Sequence, residues 1–519
     1  MIYHGGNILI IKNSTVLAIF ILGLLAIGIA SAADNSTNDV TSVENTIDDR
    51  VSVEDAGIGT DDSAVADDSE NGILSSSLND DGSNDTQINK IGSADVKAVE
   101  KNDDEILQAD ETANVLYVNG SVETSGNGSM EHPFKTLAEA IGAAQAGYTI
   151  KIAPGEYTGS NNTNLQINNP LNFERYGDGE AIFDAHNSNR IWTVNATSIN
   201  INGLTFKNGK EYKGAAIKFE RALSDSFINV TAINNNATCE DNQCGAIYFN
   251  GALTNVTVTG NFINNTARSG SFYSGGAAIY FNGALTNVTV SGNFLYNTFM
   301  GGYRYNMEGG GAIFFFADVV NSNINASFIN NTAFGNGGAI YVYGNFKNSN
   351  IKSTFINNTI PDVNMGGGGA AIYFYKNIEN SIINSTFINN SARSGGATYF
   401  NNKLTNVTLT GRFIDNTAFA GNNYEGGGAN YFYGVLDNVN ISGDFIDNTI
   451  TNHGNYVGGG VNYFRGESNN VAISGNFIKN YAPSGGVNYF NEPSANISLS
   501  GNYRSNTANF GSASFFYSS

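Results

Sequence analysis

Fifteen positions separate Ile247 from Phe262, and the interval recurs from Ile279 to Phe294, Ile313 to Phe328, Ile340 to Phe355, Ile372 to Phe387, Thr398 to Phe413, Asn430 to Phe445, Asn462 to Phe477 and Asn488 to Tyr503. From each copy's last aromatic to the next copy the count varies, from eleven positions (Phe387 to Thr398) to nineteen (Phe294 to Ile313). A frame that never shifts, joined by one stretch that tolerates insertions, is the pattern of a solenoid. Each unit stacks on its neighbours while one corner bulges into solvent.

Within the frame the residue types form columns. One column reads Lys218, Tyr248, Tyr280, Phe314, Tyr341, Tyr373, Tyr399, Tyr431, Tyr463, Tyr489, and the next reads Phe219, Phe249, Phe281, Phe315, Val342, Phe374, Phe400, Phe432, Phe464, Phe490. Side chains alternate along a strand, so a column that tolerates lysine is expected outside and the all-apolar one inside. The same parity sends Ile247 through Ile372 inward, followed by Thr398, Asn430, Asn462 and Asn488. A buried Asn is costly alone, but in register it can hydrogen-bond to its own copy one coil away. A second strand contributes Val258, Val290, Ile324, Ile351, Ile383, Leu409, Ile441, Ile473 and Leu499 to the core. At about 1.5–3 kcal/mol per fully buried large side chain, such columns offset much of the ordering entropy once neighbours stack. The Asn-Asn or Asp-Asn pair after each Phe marks a turn, where Asn accepts left-handed geometry and stacks as a ladder.

Ahead of the array the chain changes character three times. Residues 1–32 carry Lys12, the run VLAIFILGLLAIGIA and Ala30-Ser31-Ala32, which read as an export signal with a cleavage site; an uncleaved anchor is the alternative. Residues 33–112 are acidic, hold most of the net charge of −21, and read as a disordered spacer. From residue 113 a β run, HPFKTLAEAIGAAQAG and TIKIAPGEYTG give strand, amphipathic helix, strand, with Leu137, Ala140, Ile141 and Ala144 on one helical face. The irregular coils run over 113–213 and the regular repeats over 214–519.

This entry resembles that of right-handed parallel β-helix proteins of the pectin-lyase-like type, where the helix covers the open first coil. The fold class expected is therefore all-β, a right-handed parallel β-helix with a short N-terminal capping helix. The paired signatures GGAI (Gly310 to Ile313, Gly337 to Ile340) and FxxN (Phe262 to Asn265, Phe328 to Asn331, Phe387 to Asn390, Phe477 to Asn480) resemble the repeat of the chlamydial polymorphic outer-membrane proteins. They are also similar to adhesin-like surface proteins of methanogenic archaea. That resemblance covers roughly three quarters of the chain. It implies an extracellular, cell-surface solenoid that mediates attachment to a surface polysaccharide or a host or microbial surface protein. The sequence stops at SASFFY, the first strand of a further coil, so a truncated chain or a stacked partner is expected there.

Binding is expected at two places. The insertions SGSFYSGG, FMGGYRYNMEGG, AGNNYEGG and TNHGNYVGG leave one corner and carry Tyr303, Tyr305, Tyr424 and Tyr456. The Tyr column, with Tyr248, Tyr280, Tyr373 and Tyr399, offers an aromatic stripe for stacking on sugar or protein. Cys239 and Cys244, in TCEDNQCG, are expected to form a local disulfide in an exported chain, with a metal site including Glu240 and Asp241 as the lesser alternative. Many N-x-S/T sequons, among them Asn255, Asn287, Asn406 and Asn440, imply surface glycosylation.

Catalysis is not expected. Asp184, His186 and Arg190 are the best candidate group, and Asp415 and Asp447 share a turn column, but solvated turn residues explain both. The four histidines give no metal-ligand spacing, and no nucleotide-binding glycine motif appears in context, so no metal or cofactor is expected. Nucleic acid is excluded as a partner because no basic patch meets phosphates. A membrane enters only through the signal or a missing C-terminal anchor.

Overall fold

The computed structural model describes residues 114–239, 243–269, 274–301, 309–361, 367–419, 426–451 and 458–517. The expected signal and acidic spacer lie outside the described residues.

Strand Val115–Val118 pairs in parallel with Thr149–Ile152, and helix Leu137–Ala143 sits between them in sequence. The helix begins where Thr136 donates through both its N–H and its hydroxyl to the Glu139 carboxylate, at 3.0 and 2.7 Å, and where Asn162 Oδ1 accepts the Leu137 N–H. Leu137 and Ala140 are fully buried and join the end of the core, so the amphipathic face covers the first coil as its spacing predicts.

Every later coil has the same cross-section. Thirteen short strands, from Leu165–Ile167 to Ser514–Phe516, form one continuous sheet of parallel neighbours. Longer strands such as Leu404–Ile414 and Leu436–Ile446 form a second, and two- to four-residue strands such as Thr266–Ser269 and Thr298–Gly301 line a third face. Register never slips between regular coils: Ile247, Ile279, Ile313, Ile340 and Ile372 are successive partners, as are Phe387, Phe413, Phe445 and Phe477. This is an all-β parallel β-helix.

The core columns lie inside as the alternation requires, except at Leu499, which is 36% exposed because its strand, Ser494–Arg504, is paired on one side only among the described residues. Phe262, Phe294, Phe328, Phe355, Phe387, Phe413, Phe445 and Phe477 stack ring on ring at 4.6–5.1 Å. The inward Asn residues do bond along the axis: Thr398 donates to Asn430, Asn430 to Asn462 and Asn462 to Asn488, at 2.7–2.9 Å.

The Asn-Asn turns separate into two roles. The first residue of each pair (Asn234, Asn264, Asn330, Asn357, Asn389, Asp415, Asp447) has φ between 51° and 56°, the left-handed conformation Asn and Asp accept most readily. The second (Asn235, Asn265, Asn297, Asn331, Asn358, Asn390, Asn416, Asn448, Asn480) is completely buried. Asn358 shows how each is satisfied. Its Nδ2 donates to Asn390 Oδ1 and to the Phe328 carbonyl, and its Oδ1 accepts the Nδ2 and backbone N–H of Asn331, all at 3.0–3.1 Å. Four bonds saturate a group that would otherwise cost several kcal/mol to bury.

Candidate functional site

Asp184 ends strand Ala181–Asp184, beside Lys207 at the end of Asn200–Lys207 and one coil above Glu156. Its side chain is 2% exposed. Asn208 Nδ2 donates to both carboxylate oxygens at 3.0 and 2.9 Å, the His186 N–H donates at 2.8 Å, Lys207 Nζ lies 3.3 Å away and His186 Nδ1 3.4 Å. Burial works to raise the Asp184 pKa, but the hydrogen bonds from the His186 N–H, Asn208 and Lys207 outweigh it and hold the carboxyl below its ordinary value. Glu156, Asp184 and His186 bring ligand atoms within 4.8 Å of one another. The Asp184 oxygens already accept from Asn208 and the His186 N–H and pair with the Lys207 ammonium, so its charge is compensated within the chain. What remains chemically is a histidine ring oriented by a buried carboxylate.

Arg190, expected with this pair, is not part of it. Its guanidinium donates to the carbonyls of Gly214, Tyr212 and Lys213 at 2.6–3.1 Å and to Thr193 Oγ1 at 3.4 Å, tying the irregular coil to the first regular repeat. The turn between strands Ala181–Asp184 and Trp192–Val194 separates it from the pair, a separation that nearness in sequence conceals.

The Tyr column requires a correction. It points away from the main core, as parity predicts, yet Tyr248, Tyr280 and Tyr373 are buried and Tyr399 is half-buried. With Phe314, Tyr341, Tyr431, Tyr463 and Tyr489 they form a second stack with centroids 4.6–5.5 Å apart. Part of the cover is the glycine four positions before the first strand residue, at Gly275, Gly309 and Gly368. A Cβ added at Gly368 would lie 2.4 Å from Tyr399 Cδ2, and one at Gly309 would lie 2.7 Å from Tyr341 Cδ2. At these three positions backbone rests on the ring because no side chain intervenes, while the glycines of GGAI serve the turn itself: Gly310 and Gly337 have φ of 75° and 64°, and a Cβ at Gly311 would lie 2.0 Å from the Gly338 carbonyl oxygen. Burial, reinforced by neighbouring tyrosines, raises the hydroxyl pKa of Tyr280 and Tyr373 well above the ordinary value.

The aromatic residues that do reach the surface of this sheet stand two positions further on. Phe316, Tyr343 and Tyr375 are half-buried and stacked at 5.3 and 4.9 Å, with Lys376 Nζ 5.0 Å from the Tyr343 centroid. Continuing the period-2 count past the Tyr column would have found them. Their faces lie against one another, so they present ring edges and hydroxyls, and a sugar finds no open platform between them.

Tyr303, Tyr305, Tyr424 and Tyr456 lie outside the described residues. Cys239 and Cys244 are joined to each other, with Cα atoms 5.4 Å apart. Gln243 beside them accepts from the Tyr248 hydroxyl and donates to Asn282 at 2.9 Å, fastening this turn over the start of the Tyr stack. The points where insertions leave and rejoin the body are described, and they stand in register. Ser269 is the partner of Gly301, Gly275 of Gly309, Ala418 of Ile450 and Gly426 of Gly458. Insertions of successive coils therefore rise from the same corner about 4.8 Å apart.

At the turn, Asp415 and Asp447 are neighbours in the left-handed column. Burial and, second to it, the Asp447 charge raise the Asp415 pKa above its ordinary 3.8. A carboxyl whose pKa is raised by folding favours the folded state most when protonated, and that contribution is lost as pH rises through the carboxylate range. Asp415→Asn is accordingly expected to stabilise the protein at pH 7 by about 0.2–1 kcal/mol, the cost of like charges on adjacent strands. The gain should vanish near pH 3 in thermal melts; an equal gain at both values would contradict it.

Among the described residues no helix is long and apolar enough to cross a membrane. No curated protein matches the sequence. One solved structure, described as a rhamnogalacturonan lyase, aligns with 57% of this chain and 82% of its own at 13% identity and a TM-score of 0.30, a likeness too slight to carry an argument. Residues 118–367, just short of half the chain, match the model of a family described as a protein of unknown function (DUF1565), and that stretch runs from the capped entry well into the regular array.

Proposed function

We propose that the chain is an exported, adhesin-like surface protein whose β-helix presents insertion loops for attachment to glycans or other surface partners. The observation that carries this reading is the register of the insertion points: variable, Tyr-, Asn- and Gly-rich segments are brought side by side at one corner of an otherwise invariant body. The buried Tyr column moves the binding role from the sheet face to that corner. Full-length protein is expected to be retained on a defined class of polysaccharide, or on cells displaying a surface protein. Shortening 302–308, 420–425 and 452–457 to the turn length of the Phe387 to Thr398 coil should abolish retention while the melting temperature stays put, and Ser at Tyr303, Tyr305, Tyr424 and Tyr456 should weaken it. Unchanged retention by both variants would place the attachment surface elsewhere on the body, and no retention of the full-length protein on any surface would make the chain a passive envelope component.

We propose no catalysis. The group favouring an enzyme is Asp184 with His186, and its saturation argues against turnover. Incubation with uronate polymers should release no unsaturated ends, and a steady release would establish a polysaccharide lyase.

A further inference from the structure

Each strand of the second sheet that runs into the Asn turn ends on a residue that points outward, because the core residue before it points in. Ile233, Ile263, Leu295, Ile329, Ile356, Ile388, Ile414, Ile446 and Ile478 are successive register partners in nine coils, and all are half-buried. Strand propensity does not account for this line. The outward lane two residues earlier on the same strands reads Thr231, Asn261, Asn293, Ser327, Thr354, Thr386, Arg412, Asp444 and Asn476, polar throughout. On the other side, the left-handed lane reads Asn234, Asn264, Tyr296, Asn330, Asn357, Asn389, Asp415, Asp447 and Lys479. Between them the aliphatic line runs for about 38 Å at about 4.8 Å per coil, a continuous apolar surface of the kind that is normally covered. Lys207, paired with Asp184, precedes Ile233 in register, and Arg504 follows Ile478.

We infer that this line is the interface with a second copy of the chain, packed face to face with the solenoid axes antiparallel and Ile356, the middle residue, on the two-fold axis. Size is the first consideration that selects this occupant. Three lanes of side chains span about 20 Å, so the face measures roughly 800 Å², which is what each partner gives to a stable interface. A two-fold uses one patch twice, so a straight aliphatic line meets its own copy along its whole length. Charge is the second. Within the three lanes every charged residue lies in the last three coils, namely Arg412, Asp415, Asp444, Asp447 and Lys479. The antiparallel two-fold sets those coils against the first three, which carry none. Asp415 then faces the hydroxyl of the partner's Tyr296, a residue 40% exposed, and Asp444 and Asp447 face the amides of the partner's Asn261 and Asn264. Parallel axes would join Arg412 to the partner's Asp415 but set Asp444 against the partner's Asp447, a like-charge contact the antiparallel pair avoids. The insertion corners lie beyond the turn lane in both copies, so the two-fold brings them to one side of the pair and makes attachment through them bivalent.

Sedimentation of the full chain is expected to show a dimer. Ile356→Asp sets two carboxylates against each other on the axis and should raise the dissociation constant about a hundredfold or more, with the β-sheet circular dichroism unchanged. If that variant fails to fold, Thr354→Cys decides. Thr354 faces the partner's Thr354 only when the axes are antiparallel, so oxidation in air should join two chains through the new cysteine. Arg268→Cys, on the third sheet, should give no such product, and the native cysteines are already joined to each other. A monomer at every attainable concentration overturns the inference, as does a dimer that survives Ile356→Asp or that Thr354→Cys fails to cross-link. Asn264, Asn330, Asn357 and Asn389 stand in N-x-S/T sequons beside the line. A glycan found on any of them by mass spectrometry would hold the copies apart and would overturn it too.

Discussion

Asn358→Asp should be among the most damaging single substitutions in the chain, lowering stability at pH 7 by at least about 3 kcal/mol. Aspartate keeps the two bonds Asn358 accepts from Asn331 but loses both it donates, to Asn390 Oδ1 and to the Phe328 carbonyl. Each lost donation to a buried acceptor costs about 1–3 kcal/mol. The position is 0% exposed, so an ionised carboxylate there adds a desolvation cost. Its folded pKa must lie above the unfolded value near 3.9, so the loss should shrink as pH falls through the carboxylate range and be largest above it. Chemical denaturation across pH checks both size and sign. The neighbouring Asn389→Asp is the control: Asn389 is exposed and makes a surface ladder bond to Asn357, and its replacement should cost under about 1 kcal/mol. Comparable losses at 358 and 389 would refute the distinction between buried and surface ladders.

The second large effect is expected at Gly368. Alanine there places a Cβ 2.4 Å from Tyr399 Cδ2, a contact that must be relieved by displacing either the ring or the strand above it. The expected cost is about 1–3 kcal/mol, as for overpacking of a close-packed interior. Tyr399→Ala alone should cost roughly 2–4 kcal/mol, because the ring stacks on Tyr373 at 4.7 Å and on Tyr431 at 4.6 Å. In the double variant the alanine at 368 is freed of the ring and keeps only its 3.1 Å approach to the Ser394 carbonyl oxygen, so the combined loss should fall short of the sum by about 1 kcal/mol or more. Simple additivity in thermal or denaturant unfolding would mean that Gly368 does not cover the ring.

The reading of Phe columns, inward Asn and capped entry from the sequence succeeded because each rests on a local rule: alternation along a strand, or amphipathicity around a helix. Parity assigns a direction but not a layer. It pointed Tyr248, Tyr280 and Tyr373 away from the core correctly and could not show that Gly309 and Gly368, from a different edge of the coil, belong to a backbone layer lying over that column. The Asn pairs likewise read as one turn signal, whereas one member is a left-handed surface residue and the other a buried ladder rung. Asp184, His186 and Arg190 look like a cluster on paper, and the turn from one sheet to the next parts them.

The buried ladder has an electrical sense as well as a structural one. From Asn235 to Asn480 every Nδ2 donates toward the coil of higher residue number, so the side-chain amides point the same way and their dipoles add along the axis. The surface rows run in the opposite sense, with Asn264 donating back to Asn234 and Asn389 to Asn357, but they stand in water, where such moments are screened. The interior row is not screened, and hydrogen-bonded amides in a low-dielectric core polarise one another. The molecule thus carries a permanent moment, positive toward Asn506, whose size is set by how many coils the array contains.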